Sequence, residues 1–155
     1  MEYKEIILSL KNLIKDVKYD VTILSNTSAF LFGNLNNINW VGFYLTKDDG
    51  MHLGPFCGKV ACMFLPYNKG VCAKCATTKE AIIVKDVHEF KGHIACDSNS
   101  NSEICIPLFI NNKLYAILDI DSPIKNRFND NDLKNLKEIV NILETEILKS
   151  QILLD

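Results

Sequence analysis

The sequence predicts an α+β fold: a central, mostly antiparallel sheet with the N- and C-terminal helices packed together on one face. Three observations carry this reading. Apolar residues recur every 3.6 positions at both ends of the chain, at Tyr3, Ile6, Ile7, Leu10, Leu13, Ile14 and Val17, then at Leu133, Leu136, Val140, Leu143 and Ile147. Between the ends lie alternating or β-rich segments punctuated by Gly, Asn and Asp. The length, 155 residues, suits one domain spanning 1–155 with a core of its own.

In chain order, residues 3–17 predict a first helix. Residues 20–35 predict a second, with Val21, Leu24, Leu31 and Leu35 inward and Gly33-Asn34 and Asn36-Asn37 marking its end. Residues 38–45 predict a strand with Trp40, Gly42 and Tyr44 on one face and Val41, Phe43 and Leu45 on the other. Lys47-Asp48-Asp49-Gly50 turns the chain into a strand at 51–56. A short helix is expected at about 70–78, a buried strand at 81–84 and a long polar loop at 86–102. Strands at 103–110 and 114–121 flank the hairpin turn Asn111-Asn112. The closing helix covers 130–148, with Asn129 or Asp130 as its N-cap.

Composition excludes several classes. Hydrophobic residues make up 48% and charged residues 23%, the balance of a globular domain and not of a disordered chain or fibre. A net charge of −2 argues against nucleic acid or an anionic membrane as partner. No apolar run reaches membrane-spanning length, and Met1-Glu2-Tyr3-Lys4-Glu5 lacks the basic start of a secretion signal, so a cytoplasmic location is expected.

Six cysteines, Cys57, Cys62, Cys72, Cys75, Cys96 and Cys105, are then more readily catalytic, metal-bound or buried than a permanent disulfide framework. Cys72-x-x-Cys75 and His93-x-x-Cys96, with 17 residues between the pairs, have a spacing that zinc accepts. A chain with ample core needs no such staple, so zinc is the alternative and the expected site holds no metal. Cys57, Cys75 and Cys105 read as small buried hydrophobes. Cys96 sits in the polar loop Gly92-His93-Ile94-Ala95-Cys96-Asp97, where His93 is placed to help hold a thiolate, and is the candidate nucleophile.

Two carboxylates complete the reading from residues alone. Asp119 and Asp121 are two apart on a strand, so they share a face at ~7 Å. Crowding and burial there raise at least one of their pKa values. Glu103 opens the neighbouring strand, near the end of that pair. Trp40 and Tyr44, at i and i+4, form one wall on their own strand.

The string around Cys96 resembles the free methionine-R-sulfoxide reductases, a family of single GAF domains. The resemblance extends through Asn39-Trp40-Val41-Gly42-Phe43-Tyr44, Leu53-Gly54-Pro55-Phe56, Gly58-Lys59-Val60-Ala61-Cys62, Lys69-Gly70-Val71-Cys72, Asp86-Val87-His88, Ser102-Glu103-Ile104 and Leu118-Asp119-Ile120-Asp121-Ser122. It implies a GAF-like fold and reduction of free methionine-R-sulfoxide without a cofactor. Cys96 matches the attacking cysteine, and Cys62 and Cys72 match two cysteines able to resolve its oxidised form. Trp40, Tyr44, Glu103, Asp119 and Asp121 match the substrate pocket, and Glu103 is the favoured proton donor. Thioredoxin is the implied reductant, and a homodimer is left open. Cys57 stands where the family pattern has glutamine, while Cys75 and Cys105 are additional; these departures leave the partner of Cys96 open between Cys62 and Cys72. A GAF module that binds a small molecule without chemistry is the other functional class.

Overall fold

The computed structural model describes residues 1–94 and 96–154, with side chains described through Gln151. Helix α1 (Tyr3–Ile14) stops short of the expected end, because Asp16 takes a left-handed conformation (φ 58°) and its N–H turns to Glu146 Oε2 at 3.1 Å. Helix α2 (Asp20–Asn34) buries Ile23, Leu24, Thr27, Ser28 and Leu31. Thr27 and Ser28 can face inward because their hydroxyls donate to the carbonyls of Ile23 and Leu24, at 2.7 and 2.8 Å. That stripe leaves Val21, expected inside, exposed at the helix start; Leu13 of α1 is exposed as well.

Strands β1 (Trp40–Lys47) and β2 (Gly50–Gly58) form a hairpin, and β3 (Phe64–Leu65) adds a two-residue edge that lies outside the expected elements. Helix α3 (Val71–Thr78) and strand β4 (Ile82–Val84) follow. The segment expected as loop contains a 3₁₀ turn at Val87–Glu89, started by Asp86, whose carboxylate accepts from His88 N. Strands β5 (Ser102–Ile110) and β6 (Lys113–Ser122) meet at Asn111-Asn112, whose φ values of 52° and 63° suit a primed hairpin turn. Helix α4 (Asp130–Leu154) ends the chain.

The described strands make one sheet in the order β3-β2-β1-β6-β5-β4, antiparallel at every pairing. Alternation splits its side chains between two cores. On one face Val41, Phe43, Ile104, Ile106, Leu118 and Ile120 pack against α1, α2 and α4. On the other, Trp40, Tyr44, Cys105 and Ile117 pack against α3 and the loops. The terminal helices thus close one face and leave the other for the candidate site.

The start of α4 is held by a reciprocal cap. Asn129 Oδ1 accepts from Asp132 N at 3.0 Å, and Asp132 Oδ2 accepts from Asn129 N at 2.9 Å. Buried Asp132 also accepts from Tyr3 Oη at 2.6 Å and from Arg127 at 3.2 Å, tying α1 to α4. Asn129→Ala should therefore cost about 1 kcal/mol. Asp132→Ala, which orphans Tyr3 and Arg127 together, should cost about 3 kcal/mol or more. Urea unfolding measures both, and equal losses would contradict the network.

Candidate active site

Period-two alternation sends Trp40, Gly42 and Tyr44 of β1 into the open face, where Trp40 stacks on Tyr44 at 5.9 Å and on Phe56 at 5.4 Å. Glycine is required beside that ring. A Cβ at Gly42 or at Gly58 (φ +134°) would stand 2.6 Å from atoms of Trp40. The aromatic pair also anchors the next segment: Trp40 Nε1 donates to Lys59 O at 3.2 Å, and Tyr44 Oη donates to Cys62 O at 2.9 Å. Cys62 is thereby fixed over the end of β1.

The β5–β6 register puts Glu103 opposite Asp121 and Cys105 opposite Asp119. Glu103 and Asp119 are 6% and 5% exposed, while Asp121 keeps a partly open edge. Burial, then the charges of Asp119 and Asp121, push the Glu103 carboxyl well above the usual carboxylate range. Burial also raises Asp119, against hydrogen bonds from Glu103, Cys105 and Cys72 that favour its ionised form. Asp121 is raised by burial and by the charges of Asp119 and Asp97. His93 points Nε2 at Glu103 Oε1, 3.8 Å away, and burial lowers its pKa while Asp119 opposes that shift. Neutral acids beside ionised ones are what a site needs to give a proton and hold a cation at one pH.

Cys96 is exposed on the loop after Gly92 and forms a disulfide with Cys62, Cα–Cα 5.7 Å. Ala95, within the same motif, lies outside the described residues. Asn39 moors the loop by donating from Nδ2 to Asp97 Oδ2 and Ser100 Oγ, both at 3.2 Å. Cys72, on the first turn of α3, is buried with its Sγ 3.5 Å from Cys105 Sγ. The Cys105 contact favours its thiolate, but burial and the charges of Asp119 and Asp121 outweigh it and push Cys72 up to about 12. The four residues of the zinc alternative do not converge: Cys96 is bridged to Cys62, and Cys72 gathers instead with Glu103, Cys105 and Asp119.

A pocket of about 590 Å³, its open mouth included, joins Trp40, Tyr44, Cys72, Cys96, Glu103, Asp119 and Asp121. An apolar wall with a few convergent polar groups suits a small ligand. The N-terminus of α3, from Lys69 to Ala73, also lines the pocket, and no side chain caps the first amides there. Three residues that hold the site together lay beyond the sequence reading. Asn39 and Ser100 give no pattern that marks a loop anchor. Cys105, taken as a plain core residue, shares its strand face with Glu103 at i, i+2, a signal that was present.

Residues 25–146 match the GAF domain family. The free methionine-R-sulfoxide reductase of Escherichia coli is 49% identical over 121 residues, 78% of this chain and 73% of that protein. The chain belongs to the free methionine-R-sulfoxide reductases. The solved reduced form of the Staphylococcus aureus enzyme of this family is 47% identical, covers 94% of this chain and 95% of its own, and superposes with a TM-score of 0.92. The Neisseria meningitidis free methionine-R-sulfoxide reductase, solved in complex with its substrate, is 35% identical over 96% of this chain and 90% of its own, also at a TM-score of 0.92. Among the described residues, no helix of this reductase-family chain is long and apolar enough to cross a membrane.

The crowded acids give a prediction with a definite sign. Native Glu103 holds its proton more tightly than the unfolded residue, so the fold loses stability as pH rises above about 4.5 toward the raised native value. Glu103→Gln removes that penalty. Its melting temperature should exceed the wild type at pH 8 by more than at pH 4.5; an equal difference at both pH values would contradict the shift.

Proposed function

We propose that the protein reduces free methionine-R-sulfoxide to methionine in the cytosol, as a single GAF domain, with Cys96 as nucleophile and a dithiol protein of the thioredoxin type as reductant. The observation that carries this reading is the pocket itself. An exposed cysteine, an aromatic wall, three carboxyl groups and the uncapped end of a helix open into one space.

A free amino acid offers an ammonium and a carboxylate, and each has a counterpart. The ammonium takes the ionised member of the Glu103, Asp119 and Asp121 set. The carboxylate takes the free amides at the start of α3, where the helix dipole favours an anion. The S-methyl end lies along Trp40, above Tyr44. A peptide-bound methionine sulfoxide has neither charge and is excluded.

The Cys96 thiolate attacks the sulfoxide sulfur while Glu103, kept protonated by its neighbours, gives its proton to the oxygen. The oxygen passes to Cys96 as a sulfenic acid, and the substrate leaves as the thioether. Cys62 then attacks Cys96, expelling water and forming the Cys62–Cys96 disulfide. Cys62 suits this role better than Cys72, whose thiol is buried and pushed up to about 12. The disulfide is open to an external dithiol, with Val60 (88% exposed) and Met63 (79%) forming an apolar rim beside Cys62.

Racemic free methionine sulfoxide and its N-acetylated form, incubated with dithiothreitol and resolved by chiral analysis, test the reading. Only the free R epimer should disappear; equal turnover of the N-acetylated compound would overturn the ammonium argument. In a single turnover without reductant, Cys96→Ser should yield no methionine, whereas Cys62→Ser and Cys72→Ser should each yield about one equivalent. At saturating substrate, Glu103→Gln should slow that turnover by ~10²–10⁴-fold. Near-normal rates in Glu103→Gln, Asp119→Asn and Asp121→Asn alike would make solvent the proton source.

A further inference from the structure

The proposed reaction leaves a second pair of thiols unused at the back of the pocket. Cys105 Sγ lies 3.5 Å from Cys72 Sγ, 3.5 Å from Glu103 Oε2 and 3.4 Å from Asp119 Oδ1. One ligand atom from each of the four residues lies within 4.8 Å of every other, and all four residues are buried. Cys105 has a single S–H for three neighbours, so it satisfies only one of them at a time.

Those spacings are those of a coordination shell. With bonds of about 2.3 Å to sulfur and 2.0 Å to oxygen, a tetrahedral ion has ligand–ligand edges of about 3.8 Å between sulfurs and 3.5 Å between sulfur and oxygen. The three separations from Cys105 need to change by about 0.3 Å or less, and the other three, all within 4.8 Å, close around the ion. Two thiolates among four ligands select a thiophilic borderline ion over magnesium or calcium. Cys72, Glu103 and Asp119 line the pocket directly, so the ion has a way in, and Cys105 stands one layer behind them.

We propose that Cys72, Glu103, Cys105 and Asp119 form a binding site for a thiophilic divalent cation such as zinc or cadmium, and that its occupation blocks the seat of the substrate ammonium. The inhibitory part rests on the pocket assignment made above; the metal site itself does not. Binding releases the thiol protons of Cys72 and Cys105 and the carboxyl proton of Glu103, and the dication offsets the negative charge this leaves among the four ligands. The site is separate from the redox pair, because Cys62 and Cys96 are bridged to each other in the oxidised protein.

Cobalt(II) titration of the oxidised full-length protein, without thiol reductant, isolates the cluster. The expected result is one cobalt per chain, with thiolate-to-cobalt charge transfer in the near ultraviolet that zinc abolishes by displacement. Cys105→Ala should weaken cobalt binding by more than the roughly 10–100-fold that losing an outer-shell partner costs. Cys75→Ala, which removes a buried thiol outside the quartet, should keep the band. Free L-methionine should raise the cobalt concentration needed for half-saturation. Absence of the band or its survival in Cys105→Ala would overturn the metal site, and indifference to methionine would overturn its blocking of the ammonium seat. Should Cys105→Ala fail to fold, Cys72→Ala puts the same question. The band is read without turnover, so an active enzyme that binds no cobalt refutes this inference alone, and a cobalt-binding protein without reductase activity refutes the function and leaves the metal site standing.

Discussion

The structure depends on an unfavourable arrangement: three carboxyl groups held on one face of the β5–β6 hairpin, two of them nearly buried. Carboxylates in a low-dielectric site repel one another and lose their hydration, so full ionisation of the group is disfavoured. Glu103 is raised by burial and by both aspartates, and Asp121 by burial and by Asp119 and Asp97. Here the opposite face of the sheet, sealed by α1, α2 and α4, supplies the apolar burial that offsets it.

The same constraint organises the chemistry around it. Tyr44 is pushed up by burial and then by Asp119, and stays a neutral donor to the Cys62 carbonyl. Cys72, beside the carboxylates, is held as a thiol, whereas Cys96 lies at the pocket on an exposed loop. Two cysteines of one pocket thus differ in availability because one faces the acids and the other faces water. The anchors Asn39, Trp40 and Tyr44 then set the two loops so that Cys62 and Cys96 meet, although 34 residues separate them.

Much of this was legible in the sequence where local periodicity decides the outcome. Alternation alone put Trp40 and Tyr44 on one face and Val41 and Phe43 on the other, and i, i+2 spacing paired Asp119 with Asp121. Asn111-Asn112 marked its hairpin because asparagine tolerates positive φ. What could not be read was packing between distant segments. The inward stripe of α2 runs through Thr27 and Ser28, which look polar until their hydroxyls are returned to the helix backbone, and so Val21 was misplaced. Edge strand β3 has two residues, too few for any period. The choice between Cys62 and Cys72 as neighbour of Cys96 depended on two loop paths that carry no repeating pattern.

The most direct test is a ¹³C NMR titration of the side-chain carboxyls of Glu103, Asp119 and Asp121 in the oxidised protein, repeated with free L-methionine bound. At least one carboxyl, Glu103 first among them, should remain protonated at pH 7, and an ionised neighbour should shift when the ammonium binds. Full ionisation of all three below pH 5, with no response to methionine, would contradict the account.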